Sequence, residues 1–353
     1  MAKVRVLIVD DSVVIRRMIS KVIEADPELE VAGIASNGQI ALQKIPQFNP
    51  DIITMDIEMP VLNGISTVRE IRKTYDKLPI IMFSTLSTKG ARATLEALAA
   101  GATDYITKPA NVGNVTEGLE TLQHDLIPKI KAHFPQEQTS RPIIEQRSPA
   151  RQNQRAKPPK AFCIGSSTGG PNALSKLFAD IQYTIPVPTF IVQHMPPVFT
   201  KMLADRLDKD SPNRFYEGQE GQIAEPGCVY IAPGGKHMEV VSLNGQTGIR
   251  LTENPPENSC RPAVDVLFRS AASTYGGALL AAVLTGMGSD GKRGSEVIKD
   301  RGGQILAQDE ASSVVWGMPR YIAESGLADK ILPLDHIANE ITLRLRTPHA
   351  IAK

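Results

Sequence analysis

The sequence predicts an α/β protein of two domains, each built on a doubly wound parallel sheet, joined by a flexible linker. Three observations lead there. Short apolar runs alternate with amphipathic segments in two separate stretches, residues 1–130 and 160–350. Between them, over 131–159, the alternation dissolves into polar residues such as Gln136-Glu137-Gln138 and Arg151-Gln152-Asn153-Gln154-Arg155. Acids, hydroxyls and a histidine recur where the buried runs end, which is where an open parallel sheet forms its ligand crevice.

In the first stretch the expected strands are Val4–Val9, Val31–Ala35, Ile52–Met55, Ile80–Phe83 and Tyr105–Thr107. Ile15, Met18, Ile19, Val22 and Ile23 recur at helical spacing after Ser12, a good N-cap. Further amphipathic segments fall at 38–46, 64–75, 89–100 and 114–132. The strand ends carry Asp10 and Asp11, then Asp56, Ser84 and Lys108. Three carboxylates in one crevice repel one another and raise each other's pKa values. A hard divalent cation relieves this, and Mg²⁺ suits carboxylate and carbonyl oxygens. Lys108 can neutralise an incoming phosphoryl group and Ser84 can hydrogen-bond its oxygens. Each acid alone reads as a cap or loop residue; their recurrence at separate strand ends favours a site.

Composition narrows the function classes. The 353 residues carry a net charge of +1, so no basic field points to nucleic acid. The linker is weakly basic, and Ile143-Ile144 is its one apolar pair. No signal peptide and no membrane-spanning run is expected. The three cysteines, Cys163, Cys228 and Cys260, form neither a metal pattern nor a disulfide framework, which points to a reduced, cytoplasmic protein.

The second stretch opens on Ala161-Phe162-Cys163-Ile164-Gly165-Ser166-Ser167-Thr168-Gly169-Gly170-Pro171. Gly165, Ser167 and Gly169 fit G-x-S-x-G, a serine on a sharp strand-to-helix turn; a phosphate loop is the alternative. Thr189–Val192 is a strand ending at His194, and Ala278–Leu284 a strand leading to Asp290. Val229–Ala232 and Met238–Val241 are expected to pair as a β-hairpin through Pro233-Gly234-Gly235, with Ile249–Leu251 adding a strand, Gly303–Ala307 another, and Leu334–Leu345 a closing helix. Singly, His194 reads as a packed loop histidine and Asp290 as a turn residue. Together with Ser167 at neighbouring strand ends they supply nucleophile, base and orienting carboxylate. Ser166 and Ser289 are weaker candidates. The Gly286-Met287-Gly288 turn can donate backbone N–H groups to an oxyanion. The chain order Ser…His…Asp differs from that of α/β-hydrolases, chymotrypsin-like enzymes and subtilisins.

Residues 3–125 resemble the receiver domain of two-component response regulators, on Asp10-Asp11, Asp56 with Met59-Pro60 and Asn63-Gly64, Ser84, Tyr105 and Lys108-Pro109. The resemblance implies a flavodoxin-like fold with Asp56 as phosphoacceptor. Asp11 and Asp56 would bind Mg²⁺, Asp10 would help through water, Glu58 would give its main-chain carbonyl, and Ser84 and Tyr105 would be the switch pair. Residues 160–348 resemble the catalytic domain of chemotaxis protein-glutamate methylesterases. The motifs are Gly165–Gly170, Gln193–Pro197, Ile231–Gly234, Arg261–Phe268, Leu284–Gly291 and Gly317-Met318-Pro319. This second resemblance implies a Rossmann-like hydrolase domain without a cofactor of its own, acting through Ser167, His194 and Asp290. The Met287 N–H would face the oxyanion, with Thr168 helping. The implied reactions are hydrolysis of glutamate 5-methyl esters on chemoreceptor helices and deamidation of receptor glutamines. A histidine kinase would supply the phosphoryl group, and the receiver would restrain the esterase until phosphorylated. A monomer is expected. The rival readings are an esterase with another substrate and a non-enzymatic response regulator.

Overall fold

The computed structural model describes residues 3–108, 115–134, 157–209 and 211–346, with 115–117 described by their backbone alone. The chain divides into two compact units, Met1–Gln138 and Thr139–Lys353. The expected linker lies mostly outside the described residues, as do Ile143-Ile144 and Pro109.

The first unit runs β1 (Val4–Val9), α1 (Val13–Glu24), β2 (Leu29–Ala35), α2 (Gly38–Phe48), β3 (Ile52–Asp56), α3 (Gly64–Arg72), β4 (Ile80–Ser84), α4 (Thr88–Ala99), β5 (Asp104–Thr107), α5 (Val115–Ala132). Its sheet has the order β2-β1-β3-β4-β5, every neighbouring pair parallel. The strands read as unbroken apolar runs because helices cover both faces; Ile52 to Asp56 is buried throughout. Short polar residues start the helices. Ser12, Asn37, Asn63 and Ser87 each accept a hydrogen bond from the third residue onward, giving the first turn a partner it otherwise lacks. The strand order reverses direction between β1 and β3, so their carboxyl ends part and leave a crevice.

The second unit runs β6 (Ala161–Ser166), α6 (Gly170–Asp180), β7 (Thr189–Gln193), α7 (Phe199–Lys209), β8 (Arg214–Glu217), β9 (Cys228–Ile231), β10 (His237–Leu243), β11 (Gln246–Thr252), α8 (Val264–Tyr275), β12 (Leu279–Val283), α9 (Lys292–Asp300), β13 (Gln304–Gln308), α10 (Met318–Glu324), β14 (Lys330–Leu332), α11 (Leu334–Leu345). Seven parallel strands form a sheet of order β14-β13-β12-β6-β7-β9-β8. The chain starts at β6 in the middle, builds outward on one side, then returns to build on the other from β12. The switch point therefore lies between β6 and β12.

One expected pairing is corrected. Val229–Ala232 does not pair with Met238–Val241. Instead β9 joins the large sheet beside β7, and β10 pairs antiparallel with β11. Asn244 and Gly245 both take left-handed backbone angles, φ 50° and 84°, which a two-residue hairpin turn requires. Gly234 is used differently: its backbone runs against Pro196 and Pro197 so closely that a Cβ there would meet Pro197 N at 2.3 Å. Strands β8 and β14 escaped the sequence reading because they are short edge strands with exposed residues.

Candidate active site and acidic cluster

The topology brings three of the singled-out residues to one edge. β12, β6 and β7 are adjacent, with Val283 beside Gly165 and Ser166 beside Gln193. Ser167 and His194 follow β6 and β7 directly, and Asp290 follows β12 after a glycine-rich turn.

The turn after β6 is pinned by its neighbours. Ser166 Oγ donates to Gln193 Oε1 at 2.7 Å, and Gln193 Nε2 donates back to the Ser167 carbonyl at 2.9 Å. Thr285 accepts from Ser167 N through its carbonyl at 3.0 Å and donates from its hydroxyl to the Thr168 carbonyl at 3.0 Å. Gly169, with φ 76°, then reverses the chain into α6. Ser167 is thus half-buried on a braced turn, whereas Ser166 is buried and spent on Gln193. Gly286 lies against Ser167: a Cβ on it would stand 2.8 Å from Ser167 Cβ. The next residue, Met287, is 37% exposed, and among the described residues its main-chain N–H has no hydrogen-bond partner. Thr168 is buried.

His194 and Asp290 are joined directly, Nε2 to Oδ2 at 2.8 Å. Asp290 sits where the first turn of α8 presents unpaired N–H groups. Val264 N donates to Oδ2 at 2.6 Å; Asp265 N and Gly291 N donate to Oδ1 at 3.0 and 2.9 Å. Ala263 itself offers α8 no side-chain cap, so Asp290 fills that role from across the sheet. Burial opposes the charge on Asp290, but His194 and these donors outweigh it and hold the carboxyl below its ordinary value. Burial likewise opposes a charged His194; the Asp290 hydrogen bond, with a contribution from Cys260, reverses this and raises the ring to about 10. The carboxylate thus stabilises the imidazolium that forms when the ring accepts a proton.

Because Asp290 takes Nε2, the ring turns Nδ1 the other way, where Cys260 Sγ lies 3.5 Å from it. Among the described residues no hydrogen bond joins Ser167 Oγ to His194. Such contacts commonly tighten only with substrate bound.

Two residues in contact with His194 or Asp290 are not singled out as site residues by the sequence. Cys260 was noted only as a scattered cysteine. Asn258 donates to Asp290 Oδ1 at 2.8 Å and to Asp265 Oδ2 at 2.9 Å. Neither has a spacing signal, since both lie in the irregular segment between β11 and α8, just outside the Arg261–Phe268 motif.

In the first unit, ligand oxygens of Asp10, Asp11 and Asp56 lie within 4.8 Å of one another. Lys108 Nζ stands 2.8 Å from Asp56 Oδ1 and 3.1 Å from Asp10 Oδ2. Asp10 Oδ2 is buried and receives no hydrogen bond beyond that ion pair, which suits a cation ligand. Asp56 is buried, and that burial, with Asp10 nearby, pushes its carboxyl up to about 6 despite Lys108. The Glu58 carboxylate turns away to pair with Lys89 at 2.6 Å, leaving only its main chain for the cluster. Ser84 Oγ is buried and donates to the Gly90 carbonyl at 3.1 Å, so it bonds away from Asp56. Tyr105 is buried with Lys129 Nζ 5.6 Å over its ring.

Comparison with known proteins gives consistent matches. Residues 162–341 match the family model for CheB methylesterase, and residues 6–120 that for the response regulator receiver domain. A protein-glutamate methylesterase/protein-glutamine glutaminase of Nocardioides sp. is 52% identical over 98% of this chain and 96% of its own length. One from Trichodesmium erythraeum is 48% identical over 98% of this chain and 100% of its own. Among solved structures, the Thermotoga maritima CheB methylesterase catalytic domain is similar with TM-score 0.51 and 42% identity. It covers 52% of this chain and 97% of that one.

Proposed function

The chain belongs to the CheB methylesterase family, and from that membership we propose how its own residues carry out the work. It is a phosphorylation-regulated protein-glutamate methylesterase and protein-glutamine glutaminase of chemotaxis. The proposed division is a receiver over 1–130, a linker over 131–159 and a catalytic domain over 160–350. The observation that carries the residue assignment is the His194–Asp290 hydrogen bond at the edge where Ser167 follows the adjacent strand.

In the proposed reaction Ser167 Oγ attacks the side-chain carbonyl of a glutamate 5-methyl ester, and His194 takes the serine proton on Nδ1. The Met287 N–H, with Thr168 beside it, faces the oxyanion. His194 returns the proton to the departing methoxide, releasing methanol and leaving an acyl-serine. Water, deprotonated by the same nitrogen, then releases the carboxylate. A glutamine substrate follows the same course with ammonia as the leaving group. Asp290 keeps the ring oriented and stabilises its charged form.

In the receiver, Asp56 is the proposed phosphoacceptor. Asp10, Asp11, Asp56 and the Glu58 carbonyl would hold Mg²⁺, which offsets the phosphoryl charge when bound. Lys108 stands ready to pair with a phosphoryl oxygen, and Ser84 and Tyr105 are the residues that would reorganise. The proposed partners are chemoreceptor cytoplasmic helices as substrate and a histidine kinase as donor, in the cytoplasm, with the protein a monomer. No helix among the described residues is long and apolar enough to cross a membrane.

The test is methanol release from methylated chemoreceptor membranes, with and without a small phosphodonor and Mg²⁺. Release that rises with the phosphodonor and vanishes in Ser167→Ala supports the assignment. No release from a folded protein that still takes phosphate at Asp56 overturns it in favour of another substrate or a binding role.

A further inference from the structure

Five groups touch the Asp290 carboxylate, and four are backbone N–H groups or the histidine itself. The fifth is a side chain from outside the helices. We propose that Asn258 is a positioning residue for the esterase reaction: its amide, shared between Asp290 and Asp265, sets how the Asp290 carboxylate is presented to His194. The inference rests on the Ser167-His194-Asp290 reading and adds a residue to it.

The geometry is specific. An amide nitrogen carries two hydrogens, and here each carboxylate takes one bond, at 2.8 Å to Asp290 Oδ1 and 2.9 Å to Asp265 Oδ2. Asp290 and Asp265 are 2% and 1% exposed, so two carboxylates lie buried side by side. A single neutral donor bridging both lessens their repulsion without adding charge. With Asn258, Asp265 N and Gly291 N all on Oδ1, that oxygen is saturated and the carboxylate cannot swing. Oδ2 is thereby aimed at His194 Nε2, which leaves Nδ1 on the side where Cys260 Sγ lies 3.5 Å away.

The turn that presents Asn258 is held for the purpose. Asn258 and Ser259 both have left-handed backbone angles, φ 53° and 60°. Glu257 and Cys260 exchange two backbone hydrogen bonds around them, 3.0 and 2.9 Å. Glu257 forks onto Arg269 of α8 at 2.7 and 2.6 Å. Asparagine tolerates the left-handed region better than most residues, so the turn and the amide are served by one side chain. The charged groups around Asp290 are His194 at the end of β7, Asp265 and Arg269 on α8, Glu257 in the turn and, beyond Glu257, Arg293 on α9.

Two variants of the full chain test this. Asn258→Gly keeps the left-handed turn and removes the amide. Asn258→Asp keeps the shape and replaces two donors with a third carboxylate. The expected result is a kcat for methanol release, compared at the alkaline plateau where His194 is neutral, lowered tenfold or more in both, with KM changed less than twofold. In Asn258→Gly the protonation midpoint of His194, followed by imidazole NMR, should fall by at least half a pH unit as Asp290 loosens its hold. Wild-type kcat and an unmoved midpoint overturn the proposal. So does a loss of activity in both variants that merely tracks loss of the thermal unfolding transition. Ser167→Ala separates the two levels. If it stays active, the triad assignment fails, and the His194 midpoint still decides whether Asn258 acts on the ring through Asp290.

Discussion

His194 Nε2 and Asp290 Oδ2 are 2.8 Å apart, so in the proposed reaction Nδ1 is the nitrogen left to move protons. In the familiar serine-protease arrangement the carboxylate holds the other nitrogen. The proposed site has the same three chemical groups with the ring turned over. Swapping Asp290 for asparagine leaves the size unchanged but removes the charge that stabilises the imidazolium and sets an NH2 group where one carboxylate oxygen accepts N–H donors. A kcat loss of about 10³–10⁴-fold is expected in methanol release, together with a lowered melting temperature, because Asp290 also caps α8. Near wild-type kcat in Asp290→Asn would rule out the orienting role.

The same pair sets a pH dependence. A histidine raised to about 10 is charged through the neutral range, and only its neutral form accepts the serine proton. The kcat/KM of the free enzyme should therefore climb as pH rises through neutrality toward the His194 value. Stability runs the other way. The contribution of a raised histidine is complete below its ordinary value, 6.5, and is lost as pH climbs toward about 10. An activity profile flat from slightly acid to strongly alkaline pH would contradict this.

Asp56 gives the opposite case. Its carboxyl is raised from 3.8 to about 6, chiefly by burial. Between those values the folded receiver holds a proton that the unfolded chain has released, so stability falls as pH rises through that window. Asp56→Asn removes the buried charge and should stabilise the receiver by about 2 kcal/mol near neutrality in a chelator, with the gap closing at acid pH. Mg²⁺ added to wild type should narrow the same gap. Thermal unfolding at both pH values measures it, and equal melting of the two proteins at neutral pH would refute the burial argument.

Two glycines frame Ser167 closely enough to test by adding one carbon each. At Gly286 a Cβ would stand 2.5 Å from Met318 Sδ and 2.8 Å from Ser167 Cβ. At Gly170 it would meet Gln193 Oε1 at 1.9 Å, displacing the amide that holds the Ser167 carbonyl. Gly286→Ala and Gly170→Ala should each destabilise the catalytic unit by about 1–3 kcal/mol and depress kcat further than Gly245→Ala, whose added Cβ meets nothing within 4 Å and whose left-handed φ of 84° strains only the β10–β11 turn. Parallel melts and methanol assays of the three variants check the order.

Much of this protein was legible without coordinates because its strands are buried on both faces. Runs such as Leu279–Val283 admit almost no polar residue, so the place where polarity resumes marks the strand end. Ser167, His194, Asp290, Asp10, Asp11 and Asp56 are the candidates that rule picks out. It failed at the hairpin, because both partners of the expected pairing are apolar and only the left-handed Asn244-Gly245 turn selects between them. It also could not rank Ser84, whose hydroxyl turns to Gly90.

What the sequence by itself determined was the alternation of elements, the family, and the chemical types gathered at the strand ends. These depend on local periodicity and on residues adjacent in the chain. Only the tertiary structure decided which imidazole nitrogen faces Asp290, that Asn258 bridges two buried carboxylates, and that Asp290 also caps α8. Each of these joins residues far apart in sequence, 96 positions for His194 and Asp290 and 32 for Asn258 and Asp290. Hydrogen-bond direction and saturation are properties of packed geometry, and no spacing along the chain encodes them.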